Sequence, residues 1–370
     1  MTHRSRRRAL LPRPRVINAA PRSRNDRTPD PMATHPVRIA MIGHGWWGKT
    51  ITRTLAASGL INVALVVDPD TAVREAARAE GFAVADRFEA ALADPSIQAV
   101  VLCTPHRAHA AQIAAAAAAG KHVFCEKPLC LTYADALASV EACARAGVVL
   151  GIGHERRFEP AVIDLRARIA RGDLGNLLQI EANFSQDKFL AMAPDNWRLS
   201  NEHAPVGPLS ATGIHLVDLA IALLGPAESV WARLATRGSH FANGDTLGVM
   251  LGFPGGASAL ISAILATPFE GRLAVYGSRG WVEIRDRTHP ENPTGWDVTT
   301  CLAGRERETV FAPPATSVRA NLEAFATAVS GGAAYPVTRR EMLANVAALE
   351  AIMRSTTTRA VEAIVQPTQG

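Results

Sequence analysis

The stretch VRIAMIGHGWWGK, Val37 to Lys49, decides the fold. VRIAMI holds no turn former and reads as a buried strand. Gly43, Gly45 and Gly48 follow as G-x-G-x-x-G, with His44, Trp46 and Trp47 between them, and KTITRTLAASG continues as a helix ending at Gly59. Glycines at this spacing permit a tight turn and bring the backbone close to a pyrophosphate at the positive end of the helix. Outward from this point the chain alternates. NVALVVD is a second strand ending at Asp68, and TAVREAARAEG is its helix. A short strand and helix lead to Asp94-Pro95. QAVVLCT, HVFCE and VVLGIG are three further strands, separated by AHAAQIAAAAAAG and YADALASVEACARAG as helices. Short apolar strands alternating with helices indicate a parallel sheet covered on both faces. Right-handed crossovers make it a doubly wound α/β Rossmann domain over 37–153.

Beyond Gly153 the rhythm changes. A helix around 158–171 leads to period-2 strands at 177–186, 228–237, 245–252, 257–266, 271–277 and 281–286, interrupted only by the helix GIHLVDLAIALLG at 213–225. Strands clustered this way indicate an antiparallel or mixed sheet in an α+β second domain over 154–370. Helices near 317–329 and 338–355 close the chain.

The chain's formal charge is +5, but residues 1–31 hold nine arginines against Asp26 and Asp30, a local +7, which leaves −2 for everything after. The body is therefore not basic, and nucleic acid is excluded as its partner. The basic segment, within 1–36, lacks an apolar h-region because Pro12 cuts "ALL" short, so it is not a secretory signal. It reads as an organelle presequence, a disordered arm or an upstream start. Met32 as the true first residue accounts best for a first strand at Val37. No window reaches the roughly 18 apolar residues a membrane span requires. The five cysteines, Cys103, Cys125, Cys130, Cys143 and Cys301, form no C-x-x-C pair, which fits buried thiols in a reducing compartment, the cytoplasm.

In an open parallel sheet the ligand lies beyond the carboxyl ends of the strands. Asp68 ends the second strand 20 residues after Gly48, placed to hydrogen-bond an unmodified ribose and repel a 2′-phosphate. With no Arg or Lys at 69–73, the cofactor reads as NAD rather than NADP. VLCTPHRAH brings Thr104, Pro105 and His109 to the fourth strand end, and FCEKP brings Glu126 and Lys127 to the fifth. Pro128 holds Lys127 out of helical space, which would aim its amine at the nicotinamide side; a surface amine is the plain alternative. His215 lies near the start of a helix beyond a Gly/Pro-rich loop, a candidate acid–base because its proton affinity can lie near neutrality. Alone, it would read as a packed helical histidine. Glu155, Arg156 and Arg157, with Lys188, Trp197 and Arg198, could form a cation-rich substrate wall suited to a carboxylate; interdomain salt bridges and solvated helix ends are the plain alternative for each of them. His154, His203 and His215 match no metal-site spacing, so no metal is expected.

These motifs, in this order, carry a family likeness. The strand–GxGxxG start, TPHRAH, EKPL, GHERRF and WR…GIHLVD resemble the Gfo/Idh/MocA oxidoreductases, the glucose–fructose oxidoreductase and inositol dehydrogenase family, over residues 37–355. The resemblance implies a Rossmann domain, a second domain with an open-faced sheet used for oligomer contacts, and a nicotinamide cofactor binding through the glycine motif, Trp47 included. It also implies chemistry on a secondary alcohol or ketone of a sugar, polyol or related cyclic alcohol. It places the family lysine on Lys127 and its histidine on His215, and implies a cis peptide before Pro128. During oxidation Lys127 would hydrogen-bond the substrate hydroxyl and stabilise alkoxide charge, while His215 accepts the proton. One departure stands out: the family's D-x-G-x-H reads Ala211-Thr212-Gly213-Ile214-His215 here, so its aspartate is missing. Alternatives are a dehydrogenase of a carboxylated cyclohexadiene diol and an NAD-binding regulator with little turnover, favoured by Ala211 and opposed by Lys127 and His215. The expected partners are a small-molecule substrate and further copies of the chain, as a homodimer or homotetramer.

Overall fold

The computed structural model describes residues 35–367, so the expectation for the basic N-terminal segment lies outside them but for its last two residues. From Pro36 onward the chain carries two sheets. In the first, β1 (Val37–Ile42), β2 (Ile61–Val67), β3 (Val84–Ala85), β4 (Ala99–Leu102), β5 (His122–Cys125) and β6 (Leu150–Ile152) stand in the order β3-β2-β1-β4-β5-β6. Every neighbouring pair is parallel. The order reverses beside β1, which opens a crevice between the ends of β1 and β4 where doubly wound sheets bind ligands.

The helices between these strands are α1 (Trp46–Leu55), α2 (Thr71–Ala79), α3 (Phe88–Ala93), α4 (His109–Ala118) and α5 (Tyr133–Ala146). Strand alternation divides the core into two layers. Ala40, Ile42, Val100, Leu102, Val123 and Cys125 face α4 and α5, while Ile39, Met41, Val101 and Phe124 face α1. That second layer is completed from far along the chain by α8 (Ser317–Val329), whose Leu322 and Phe325 pack on Phe124 with the phenyl centroids 5.6 Å apart. Residues that chain order assigned to the second domain thus close the first.

The second sheet comprises β7 (Leu177–Ser185), β8 (Ser229–Ala235), β9 (Thr246–Gly252), β10 (Ser258–Ile264), β11 (Glu270–Gly277), β12 (Gly280–Asp286), β13 (Trp296–Leu302), β14 (Glu308–Ala312) and β15 (Glu362–Ala363), ordered β14-β13-β12-β11-β7-β10-β9-β8-β15. Only β7 and β10 pair in parallel. One face packs on α6 (Pro160–Ala170), α7 (Ile214–Leu224) and α9 (Arg339–Thr358). β13, β14 and β15 were absent from the sequence expectation. β14 is exposed along nearly its whole length, so it has no buried–exposed alternation to read. A five-residue π-helical turn, Leu209–Gly213, precedes α7, and the Lys127–Pro128 peptide is cis.

Candidate active site

The glycine loop is shaped by contacts that only glycine allows. Gly43 has φ +85°, and a Cβ there would lie 2.8 Å from the Cys103 carbonyl oxygen; one on Gly48 would lie 2.2 Å from that of Gly43. A Cβ on Gly45 would meet nothing within 4 Å. Gly45 is the N-cap of α1, which has no side-chain cap and no acidic residue in its first turn. Its free N–H groups and the open space beside Gly45 fit a dinucleotide pyrophosphate. Asp68 is nearly buried and accepts the backbone N–H of His44 at 2.7 Å and of Asp70 at 3.0 Å. Two of its four lone-pair positions remain for a ribose. An arginine does reach this strand end, one residue past the 69–73 window: Arg74 donates to the Asp68 and Pro69 carbonyls and to Thr71 Oγ1.

At the ends of β4 and β5 lies a cavity of about 450 Å³. Trp47, Thr104, Glu126, Lys127, Lys188, Trp197, Arg198 and His215, all expected from sequence, line it together. Lys127 Nζ donates to the carbonyls of Ser210 at 3.1 Å and Ala211 at 2.7 Å. Both acceptors belong to the π-helical turn, a distortion often found at functional sites. The residue at the missing aspartate's position therefore serves through its backbone. Burial lowers the proton affinity of the Lys127 amine, against the opposing pull of Glu155 and Glu126. His215 is buried on the first turn of α7, its ring 6.0 Å from that of His154. Burial, followed by Lys127, His154, Arg156 and His289, holds its imidazole well below the ordinary histidine range, so the ring is neutral. Among the described residues its Nδ1 has no hydrogen-bond partner; Glu155 Oε2 is 3.7 Å away.

Some expected residues do not reach the cavity. Arg156 is buried between Glu159 and Asp286, with Nε 2.9 Å from Glu159 Oε1 and Nη2 2.7 Å from Asp286 Oδ2. It sits in a buried ion pair and does not line the cavity, and the same holds for Arg157, bound by Asp218 and Glu341. His109 is fully buried and ties the turns after β4 and β5, its ring nitrogens 3.0 Å from the Thr104 carbonyl and 2.9 Å from that of Pro128. It ties the two strand ends together and does not line the cavity. Pro105 is exposed at the start of the 3₁₀ turn beyond Thr104 and is not a cavity residue. Lys188 lines the cavity with its charge matched by Glu291. Arg198, stacked on Trp197 with its guanidinium carbon 4.4 Å from the ring centroid, has no carboxylate partner among the described residues. Gln186 and His289 line the cavity without having been singled out as site residues, and Glu155, expected only within the charged wall, lines it too. His289 lies on the β12–β13 loop, 103 residues from the Gln186 it contacts at 2.8 Å, and no local pattern announces such a pair. Glu155 was readable as adjacent to β6, but only as part of a charged cluster.

A doubly wound dinucleotide-binding domain whose strand ends open onto a cavity shared with a largely antiparallel second domain defines a two-domain nicotinamide-nucleotide oxidoreductase. The chain belongs to the Gfo/Idh/MocA family. Residues 37–154 match the model of its oxidoreductase domain with NAD-binding Rossmann fold, and 162–283 match its C-terminal domain. The chain is 31% identical over 274 residues to a D-xylose 1-dehydrogenase (NADP(+)) of Haloferax volcanii, covering 74% of this chain and 82% of that one. It is 33% identical over 249 residues to a 1,5-anhydro-D-fructose reductase of Ensifer adhaerens, covering 66% and 72%. The crystal structure of an aldose–aldose oxidoreductase from Caulobacter crescentus complexed with glycerol superposes with a TM-score of 0.79 at 25% identity, covering 89% of this chain and all of that one. The protein is thus an NAD(P)-dependent oxidoreductase of the dehydrogenase and reductase class. No helix among the described residues is long and apolar enough to cross a membrane.

Proposed function

We propose that the protein is an NAD-dependent dehydrogenase of a secondary alcohol on a sugar, polyol or related cyclic alcohol. The observation that carries this is the convergence of the Lys127 amine and the His215 imidazole on one cavity beyond β4 and β5. When bound, the nicotinamide supplies the hydride acceptor. The α1 amides and Gly45 hold the pyrophosphate, and Asp68 holds the adenosine ribose. Asp68 favours NAD because its carboxylate would repel a 2′-phosphate, and the Arg74 nitrogens are already engaged by the loop. Lys127 binds the substrate oxygen and stabilises negative charge that develops there. His215, neutral at rest, takes the hydroxyl proton. Trp46, Trp47, Phe189 and Trp197 supply apolar walls that limit water. Arg198, without an acidic partner, favours a second reading in which the cyclic alcohol bears a carboxylate.

The test is reduction of NAD and of NADP by the purified protein across inositols, neutral sugars, sugar acids and cyclic diols. The expected result is turnover of one class with higher kcat/KM for NAD. Preference for sugar acids or carboxylated diols would support the second reading. Binding of the nucleotide without turnover of any alcohol would contradict the dehydrogenase assignment.

A further inference from the structure

His215 is a poor place for a proton to rest. Its ring is buried among Lys127, Arg156, His154 and His289, all of which oppose a positive charge on it. Among the described residues Nδ1 has no hydrogen-bond partner, and the Glu155 carboxylate faces it with Oε2 at 3.7 Å. Such separations are common in catalytic pairs before substrate tightens the site. Glu155 begins the 3₁₀ turn after β6, lines the same cavity, and is flanked by Glu126 and Lys127 from the end of β5 and by Glu159 on its own segment. Arg156 and Arg157, its neighbours in sequence, are bound to other carboxylates, so neither neutralises it.

We propose that Glu155 is a proton-relay residue: the substrate hydroxyl proton enters the His215 ring on Nε2, the ring releases its Nδ1 proton, and the Glu155 carboxylate receives it. The inference rests on the dehydrogenase reading above. In the balanced step the substrate O–H bond breaks and a Glu155 O–H bond forms. Nδ1–H breaks as Nε2–H forms, so the imidazole ends neutral in its other tautomer, and the C–H electron pair leaves with the hydride. Burial, reinforced by Glu126 and opposed by Lys127, raises Glu155 to about 8, whereas His215 is pushed down. The proton therefore moves downhill from ring to carboxylate. In the reverse direction protonated Glu155 supplies it.

The test compares wild type, Glu155→Gln and Glu155→Asp. In wild type, alcohol oxidation should rise with pH through about 8 as Glu155 ionises, and ketone reduction should fall. Glu155→Gln should lose that limb and about 10- to 100-fold in kcat with unchanged NADH affinity, since it removes one acid–base partner but not His215. Glu155→Asp should keep a limb, at a displaced midpoint and lower rate. Wild-type kcat and an intact limb in Glu155→Gln would overturn the inference, as would an undisplaced midpoint in Glu155→Asp should the glutamine variant not fold. A readout independent of turnover is stability of the protein without substrate. Relative to Glu155→Gln, wild type should lose stability as pH rises from about 4.5 to about 8, because over that range the folded state keeps a proton that the unfolded chain has already released. Parallel stability curves would overturn the relay even if no alcohol were oxidised. Failure of every alcohol with diverging curves would instead count against the dehydrogenase reading.

Discussion

Arg156 and Lys127 both lie on short segments leaving parallel strands, yet one is scaffold and the other faces the cavity. Arg156 is fixed by Glu159 and by Asp286, 130 residues later. Replacing it with Gln leaves two buried carboxylates facing each other without a cation, and breaking such a pair costs about 3–5 kcal/mol. Arg156→Gln should therefore lower the unfolding free energy from urea titration by that amount, with little change in turnover per folded molecule; a large kcat loss at unchanged stability would return Arg156 to the substrate wall. Lys127 was legible in the sequence because its cues are local: a strand, a carboxylate and a proline in succession. The fate of Arg156 was not legible, since both its candidate roles use the same guanidinium and Asp286 is remote in sequence. Glu155 was hidden for a related reason. Only the folded approach of α7 places a histidine beside it.

At the scale of elements, the strand–glycine–helix unit was the most readable part, because each glycine answers to a local steric demand. Two substitutions separate those demands. Gly48→Ala places a methyl against the Gly43 carbonyl and should destabilise the protein by about 1–3 kcal/mol, the usual cost of overpacking, while abolishing tight NADH binding. Gly45→Ala meets no protein atom; it should cost under about 1 kcal/mol in stability, as a changed N-cap does, and still weaken NADH binding. Equal loss of stability in both variants, followed by thermal melts with and without NADH, would contradict this division. What sequence periodicity missed at this scale were β13, β14 and β15, of which β14 buries no side chain and β15 has only two residues, and the π-helical turn, which has no periodic signature. The role of α8 was likewise hidden, since an apolar stripe does not say which sheet it covers.

For the molecule as a whole, buried titrating groups set the pH range of stability. His106, His109, His154, His215 and His289 are all pushed down by burial, His154 to about 4 and His289 to about 3. Glu126, Glu155 and Glu159 are raised by burial, the last two to about 8 and about 7. Below about pH 6.5 the unfolded chain takes up more protons than the fold through its histidines, so stability falls on acidification; above it the glutamates reverse the sign. Melting temperature should peak near pH 6.5, and a monotonic rise to pH 9 would contradict these assignments. The outer face of the second sheet offers a further expectation. Trp231, Met250 and Leu260 lie side by side across β8, β9 and β10, with 42%, 50% and 38% of their surface exposed. An exposed apolar row across three adjoining strands suits a second copy of the chain. Light scattering should give a dimer or tetramer, and Trp231→Glu with Met250→Glu should dissociate it; a wild-type monomer would remove the expectation.

The most direct test of the central claim is turnover by Lys127→Ala beside wild type, with NADH affinity measured on both. The amine acts on the substrate oxygen, so kcat should fall by about 10²–10⁴-fold while NADH binding is retained. Undiminished turnover in Lys127→Ala would show that the cavity beyond β4 and β5 is not where the alcohol reacts.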